Sequence, residues 1–509
     1  MRTGLTVTTP TARRARAALP ALALLALLGL WYRLLAPATV NGDGIGYLKQ
    51  VTSSGLSPGH PLYVPLLRLA AKPWAGRPPL GLAGPLQGLS VVAALLALGL
   101  FFDLARRRVG SGRALFATFL LGGTHAFSRA AQELEVYAPA TLCCVATLWA
   151  LARASDDRRP RLFAALAALF AALAALLHLT LVLLAPAVLL TLVRAAPPGR
   201  RLARALFVVG IGTLAFLAPL AWLLHRHGVA DLPGAAAWLR GADHGIPYPL
   251  TLAAPLIAGW GLAKSLLFVP YVYEASLLRV GLLTAAAVAA WGVLLWRASR
   301  SPRPEAPPLD RVLSLAWVVP LAAFGTLFYP SDTERWLFLL PVLILWLARA
   351  ASPVAWGVAV AVTVANLVLG WPAAFDRRDL DRAARVDAAV RTGDLVVSPG
   401  HGWDELIGLS RRAPPTRVAL IHLVGDARRL APALVTLRAR ITDVARSGGA
   451  IYVARLDDRS DPRGFKELSW AGLPPDGFAR FFAAWRPRPT GIPGLSQLDP
   501  TRLPSPHAP

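Results

Sequence analysis

The chain runs to 509 residues, 55% apolar and only 16% charged, with a mean hydropathy of +0.51. Lys and Arg number 53 against 28 Asp and Glu, a net charge of +25. So much apolar surface cannot be hidden from water behind so few charges, which excludes a soluble enzyme and a disordered chain; nucleic-acid binding would require the basic residues to form a continuous patch.

They do not. Residues 1–373 carry 32 basic and 13 acidic side chains, and residues 374–509 carry 21 and 15. Apolar stretches of spanning length fall at about 18–37, 81–102, 114–128, 136–152, 161–177, 179–195, 204–224, 277–297, 312–329, 335–351 and 353–371. Between alternate stretches lie Arg13-Arg14-Arg16, Arg106-Arg107-Arg108, Arg158-Arg159-Arg161, Arg200-Arg201-Arg204 and Arg297-Arg300-Arg303. Arg-rich loops mark the cytoplasmic side, so the N-terminus is expected inside and, after about 11 spans, the C-terminal tail outside. Residues 250–270 are apolar enough to cross, but a crossing there would move Arg297, Arg300 and Arg303 to the outer face. They are therefore read as re-entrant or interfacial. Residues 18–37 lack a small-residue cleavage site and read as an uncleaved first span.

The outer face receives four loops, at 39–80, 129–135, 225–276 and 330–334. The first holds Asn41-Gly42-Asp43-Gly44-Ile45-Gly46-Tyr47 and then Ser57-Pro58-Gly59-His60-Pro61-Leu62-Tyr63. Asp43 stands just beyond the first span, where an acid is costly unless hydrated or paired; function and helix capping are both open readings. The second loop offers Arg129, Glu133 and Glu135, with Tyr137 opening the next span, a position where a carboxylate also suits a helix N-terminus. His178-Leu179-Thr180 breaks two apolar runs and equally suits a hydrogen-bonded packing role. Asp332, Glu334 and Arg335 crowd the fourth loop, with a local salt bridge as the simplest account. Cys143 and Cys144 are adjacent within a span and read as packing residues. No nucleotide-binding loop and no HExxH motif occurs.

The tail reads differently. Residues 393–400, 417–424 and 450–456 suggest strands, with a helical pattern at 427–446 between the last two, giving a small α/β domain over 374–483. His401, Asp404 and Glu405 match no standard metal-ligand spacing. Residues 484–509, rich in Pro, are expected to form an irregular end. The expected fold is thus mainly α: a polytopic helical bundle over 1–373, followed by a small soluble extracytoplasmic α/β domain.

At the loop residues the chain resembles the protein O-mannosyltransferase-like family of multi-pass membrane glycosyltransferases, of the GT-C fold group. The family's W-G-D-S-G-E is matched by Gly42-Asp43, and its H-P-P-G-Y-P-L-Y by Pro58-Gly59-His60-Pro61-Leu62-Tyr63. Its A-E-V-Y-A-L-N-A is matched by Glu135-Val136-Tyr137-Ala138-Pro139-Ala140, and its N-H-L-T by His178-Leu179-Thr180. The resemblance spans about residues 35–195. Three positions depart from it: Gly46 replaces the acid after the motif Asp, Leu56 a His, and Ser128 a Trp.

The resemblance implies transfer of a sugar from a polyprenyl-phosphate donor to an acceptor hydroxyl on the extracytoplasmic face of the cell membrane. The acceptor is protein, glycan or lipid. Asp43 is implied as the catalytic base, with Glu135 orienting the acceptor or pairing with an arginine. The outer-face cations Lys49, Arg129 and Arg335, with His178 as a hydrogen-bond donor, are candidates for the departing phosphate. The motif residues His60, Tyr63 and Tyr137 complete the expected substrate site. No cofactor is expected, apart from a divalent metal at Asp43, which the missing acid at Gly46 puts in question. Beyond the donor and acceptor, the expected partner is the lipid bilayer; nucleic acid is not. Competing readings are a lipid or solute transporter, which should show charged broken helices and internal repeats, and a silent membrane scaffold.

Overall fold

The computed structural model describes residues 10–40, 42–53, 55–156, 159–229, 231–240, 253–270, 275–301, 309–328, 330–400, 402–411, 415–420, 423, 430–456 and 477–499. The chain divides into two compact units. The first comprises Met1–Pro37, Ser54–Ala70 and Pro85–Ala374; the second comprises Ala38–Ser53, Ala71–Gly84 and Phe375–Pro509. One division falls near residue 374, and two pieces of the expected first outer loop also belong to the second unit.

The first unit is built of helices α1 (Pro10–Leu34), α3 (Tyr63–Ala71), most of α4 (Pro79–Val109), α5 (Ser111–Gly123), α6 (His125–Gln132), α7 (Tyr137–Asp156), α8 (Pro160–Leu177), α9 (Ala185–Arg194), α10 (Arg201–Arg226), α11 (Leu232–Arg240), α12 (Ala254–Leu266), α13 (Leu277–Arg300), α14 (Arg311–Leu327), α15 (Thr333–Leu337), α16 (Leu340–Leu347) and α17 (Pro353–Phe375). Ala and Leu dominate these segments because both favour helix, and because lipid forces the backbone to satisfy its own hydrogen bonds. Among the described residues six helices are long and apolar enough to cross a membrane, including α4, α7, α8, α10 and α13, and four shorter apolar helices accompany them. The long helices expose large side chains that only lipid would tolerate, among them Leu206, Leu214 and Trp222 on α10, Leu282 and Leu295 on α13, and Val360, Val364 and Val368 on α17. This is a multi-pass membrane protein.

Within the 250–270 stretch, α12 has 13 residues, or about 20 Å at the helical rise, which is short of the roughly 30 Å needed to cross. It packs instead against α13, α14 and α15. Gly261 makes the approach possible: a Cβ there would stand 2.0 Å from the Pro330 carbonyl oxygen and 2.5 Å from Trp336 Nε1. Trp336 Nε1 donates to that same carbonyl at 3.0 Å.

A second close packing point is polar. Asn366 of α17 is 6% exposed. Its Nδ2 donates to the carbonyls of Gly123 (2.8 Å) and Leu266 (2.9 Å), while its Oδ1 accepts the Phe268 amide at 2.8 Å. One side chain thereby satisfies the frayed ends of α5 and α12, which matters where no water can substitute. Asn366→Leu leaves three backbone groups unpaired and is expected to destabilise the bundle by about 3 kcal/mol. A lowered unfolding midpoint in mixed micelles checks this.

The second unit contains α2 (Asp43–Thr52), α18 (Arg378–Ala389), α19 (Leu430–Arg446), α20 (Gly477–Ala483) and a five-stranded sheet. The strands are β1 (Leu395–Ser398), β2 (Thr416–Ala419), β3 (Ile451–Ala454), β4 (Arg488–Pro489) and β5 (Leu495–Gln497), in the order β2-β1-β3-β5-β4. β1 runs parallel to both β2 and β3, and all four of its residues are buried, as a central parallel strand requires. Asp394 ties these strands together: its carboxylate accepts the amides of Arg391 (2.7 Å) and Ala450 (2.9 Å), and its carbonyl accepts the Thr416 amide at 3.0 Å. α19 buries Ala433, Leu437 and Ile441 in a core with Val397, Val418, Val453, Phe478, Phe482 and Trp485.

The expected irregular end at 484–509 is corrected in its first half. β5 pairs antiparallel with β3, and β4 with β5, closing a hairpin around Gly491 and Gly494, whose φ values are +79° and +77°. Two or three residues per strand are too few for an alternating pattern to register, and Pro489 is tolerated because β4 is the sheet edge.

Candidate active site

Of the nine residues expected to form the site, seven belong to the helical unit, and there they form one connected constellation. The first-loop motif and the His178 break are laced together by backbone hydrogen bonds, Leu62 to Leu176 (3.0 Å) and Leu179 to Gly59 (3.1 Å). His60 places its Nδ1 3.1 Å from the Leu177 carbonyl and is 4% exposed. Its ring lies 4.9 Å from that of His178, which in turn lies 5.5 Å from Tyr137 and 5.6 Å from Phe338. Two histidines and a tyrosine from three separated segments thus form one aromatic cluster.

Tyr137 links this cluster to a charged group. It shares a hydrogen bond with Glu334 and lies within the fields of Arg335, Asp332 and Glu135. Glu135 is buried, 7% exposed, and its charge also acts on Tyr63. Arg129 Nε donates to both carboxylate oxygens of Glu133 at 3.0 and 2.9 Å; with Glu334 and Asp332 also acting on it, the guanidinium is held firmly protonated. Arg335 pairs with Asp332 at 3.9 Å, with its side chain 14% exposed. Asp332 is engaged with backbone as well, capping α15 by accepting the Glu334 amide at 3.2 Å. The expected local salt bridge in the fourth loop is present, but as part of a larger network.

Two members of that network lie outside the expected site residues. Burial, the Asp332 carboxylate and Glu133 push the Glu334 carboxyl up to about 8, against the pull of Arg129 and Tyr137. The folded protein therefore holds a proton there that the unfolded chain releases near its ordinary value of 4.5. Stability is expected to fall as pH rises from about 4.5 to 8, and Glu334→Gln should flatten that fall; parallel melting curves across the interval test it. The other member is Lys264 on α12, 2% exposed, with its Nζ 4.4 Å from the Trp260 ring. Lys264 and Arg129 both act on His125, whose ring stands 5.0 Å from Phe268. A lone lysine in an apolar run, four residues after a tryptophan, was the available signal.

Asp43 and Lys49 belong to the second unit, on α2. Gly42 precedes the helix at φ +54°, a conformation glycine adopts freely. Asp43 is the first helical residue and is exposed, where the helix dipole favours a carboxylate. At Gly46, three residues on, an added Cβ would meet open space. Lys49 has Arg417, Glu405 and Asp404 as charged neighbours; burial and Arg417 bring its ammonium down to about 8.

Among the described residues no group of three or more His, Cys, Asp or Glu is arranged to hold a metal ion. His401 lies outside the described residues, and Asp404 is engaged with Arg455 at 3.1 Å. Cys143 and Cys144 are unpaired thiols.

The chain is thus a many-helix membrane bundle bearing a polar constellation on its loops, followed by a small α/β unit. Residues 85–225 match the family model of dolichyl-phosphate-mannose-protein mannosyltransferases, which agrees with the resemblance carried by the loop motifs. The fold is similar to that of ArnT from Cupriavidus metallidurans in the apo state, with a TM-score of 0.61 and 13% identity over 91% of this chain and 95% of that one. The same enzyme bound to undecaprenyl phosphate gives a TM-score of 0.58 and 14% identity over 88% and 94%. The oligosaccharyltransferase of Archaeoglobus fulgidus gives a TM-score of 0.50 and 12% identity over 88% of this chain and 69% of that one. No curated protein matches the chain.

Proposed function

We propose that the protein transfers a sugar from a polyprenyl-phosphate donor to an acceptor hydroxyl on the extracytoplasmic face of the cell membrane. The supporting observation is the constellation of His60, His178, Tyr137, Arg129, Arg335 and Glu334, assembled on the motif-bearing loops of a GT-C fold. In the proposed step the acceptor oxygen attacks the anomeric carbon as the bond from that carbon to the phosphate oxygen breaks. The acceptor proton passes to the Asp43 carboxylate, and the phosphate departs on its polyprenyl chain. A single displacement inverts the anomeric centre.

Charge develops on the phosphate as it leaves, so a fixed guanidinium stabilises the transition state more than the ground state. Of the two guanidiniums in the constellation, Arg129 is chelated by Glu133, so Arg335 is assigned to the phosphate. Glu135, buried beside the tyrosines, orients the acceptor. This mechanism needs no resident cofactor: transfer is expected to survive EDTA, while loss reversed by Mg²⁺ or Mn²⁺ would put a cation beside Asp43.

The deciding experiment reconstitutes the full chain in proteoliposomes with a radiolabelled polyprenyl-phosphate sugar, or the matching nucleotide sugar, and an acceptor extract. Label should move from the lipid donor alone, with release of polyprenyl phosphate. Transfer from the nucleotide sugar, or none from a panel of lipid-linked hexoses and pentoses, would sink the reading. Labelling of cysteines introduced singly after residue 374, in intact cells, tests whether the second unit lies outside.

A further inference from the structure

The second unit contains a cavity of about 670 Å³ that the proposed transfer does not use. Its polar lining is Lys49, Thr52, Arg77, Arg411, Arg417 and Arg440, and no Asp or Glu lines it. The cations come from separate parts of the chain: α2, the 72–79 segment, the stretch before β2, β2 itself and α19. Among the described residues, Asp404 and Glu405 are the acids whose fields reach Lys49 and Arg417. Arg417, on β2, has its side chain only 12% exposed and reaches Asp404 at 3.8 Å and Ser398 at 3.5 Å, both long contacts. Its Nε is buried with no hydrogen-bond partner among the described residues. Asp404 offers little compensation, since it already accepts Arg455 at 3.1 Å and the Gly400 amide at 3.0 Å. Arg411 gives one N–H to the Val390 carbonyl at 2.7 Å. Lys49 and Arg417 repel each other across the hollow, and Lys49 is held down to about 8 as a result of that and of burial.

Like charges gathered in a concave, partly dry site cost free energy unless a counter-charge fills it. Guanidinium groups pair best with the oxygens of carboxylates and phosphates. A bare phosphate occupies a small part of a cavity this size, and Pro78, Pro79, Val418 and Leu423 supply apolar wall. The ligand therefore carries a neutral body behind its charge, and the volume falls in the range of small-molecule sites.

We infer that this cavity is a binding site for a phosphate-bearing group, a phosphate monoester or diphosphate, borne by a lipid head group or a free soluble molecule. The site holds whatever reaction the helical unit performs.

The test titrates inorganic pyrophosphate calorimetrically into the full-length protein, first in neutral detergent and then in phosphatidylcholine nanodiscs with and without polyprenyl phosphate. The variant is Arg77→Gln/Arg440→Gln, both exposed positions, with Lys49→Gln as a second. Circular dichroism and melting confirm that each folds. Wild type should bind, with affinity falling as salt rises, and each variant should bind at least about tenfold more weakly. Competition by polyprenyl phosphate in the nanodisc identifies a lipid head group as the natural source; unchanged binding there identifies a free phosphate compound. Pyrophosphate binding of equal strength in the variants, or none in any arm up to about 10 mM, overturns the assignment.

Discussion

Asp43→Asn is expected to lower sugar transfer by roughly 10²- to 10⁴-fold, the range that a positioned general base contributes. The amide keeps the shape and the hydrogen-bond acceptor but cannot receive the acceptor proton. Because Asp43 is exposed at the first position of α2, the substitution should leave folding intact; losses at such surface positions stay near half a kcal/mol. The measurement is initial rate against donor concentration in proteoliposomes. A fall in kcat with little change in KM marks a group that acts in the transition state. Undiminished transfer would remove Asp43 from the chemistry and leave the carboxylates of the helical unit, Glu135 and Glu334, as the bases to try next. Arg335→Gln should also lower kcat, and Arg335→Lys should recover part of it as a point charge without the guanidinium geometry.

The second large effect concerns stability. Asp404 and Arg455 are both fully buried, with 0% side-chain exposure, and meet at 3.1 Å. Arg455 follows β3 in a left-handed conformation, φ +65°, that few residues other than glycine adopt. Its amide donates to the Gly494 carbonyl at 2.7 Å, anchoring the turn. Asp404→Asn keeps the side-chain volume and an oxygen for the Gly400 amide, but removes the carboxylate that meets the buried guanidinium at 3.1 Å. Breaking a buried pair in this way costs about 3–5 kcal/mol, enough to open a unit of this size to protease. The rate of limited proteolysis within 375–499 should rise at least tenfold, with the helical unit still protected. Removing both charges, as Asp404→Asn/Arg455→Met, should recover much of the loss. A single variant as resistant as wild type would mean that Asp379, which also interacts with Arg455, or the lost desolvation of the carboxylate makes good the pair.

How far each of these features could be read in advance depends on the range of the interaction that creates it. The helical membrane bundle and the small C-terminal sheet follow from hydropathy and short-range patterning, which every residue carries locally, and so both are legible. The parallel strands β1, β2 and β3 are likewise announced by short apolar runs. Partnership is different. That His60 faces His178, or that Glu334 reaches Arg129, depends on helices folding together across more than a hundred residues of sequence, and no spacing rule encodes it. Arg335 was nameable from its loop, yet the chelation of its neighbour Arg129 by Glu133 rests on distances alone. Lys264 was hidden by the reading of 250–270 as interfacial: α12 is indeed too short to cross, but its lysine is buried within the bundle instead of standing at a surface. The β4–β5 hairpin was hidden by its brevity.

The composition of the second unit also constrains how the protein is made. The Leu80 amide donates to the Leu409 carbonyl at 2.9 Å, so the early loop segments share a unit with chain that follows them by more than 300 residues. At roughly 5–20 residues per second, synthesis takes on the order of 15–65 s to reach that partner. Throughout that interval α2, with Ile45, Tyr47 and Leu48 destined for burial, waits without the sheet it will join. Translation speed and the supply of membrane chaperones therefore bear on the yield of this protein more heavily than on that of a bundle whose loops close on their neighbours.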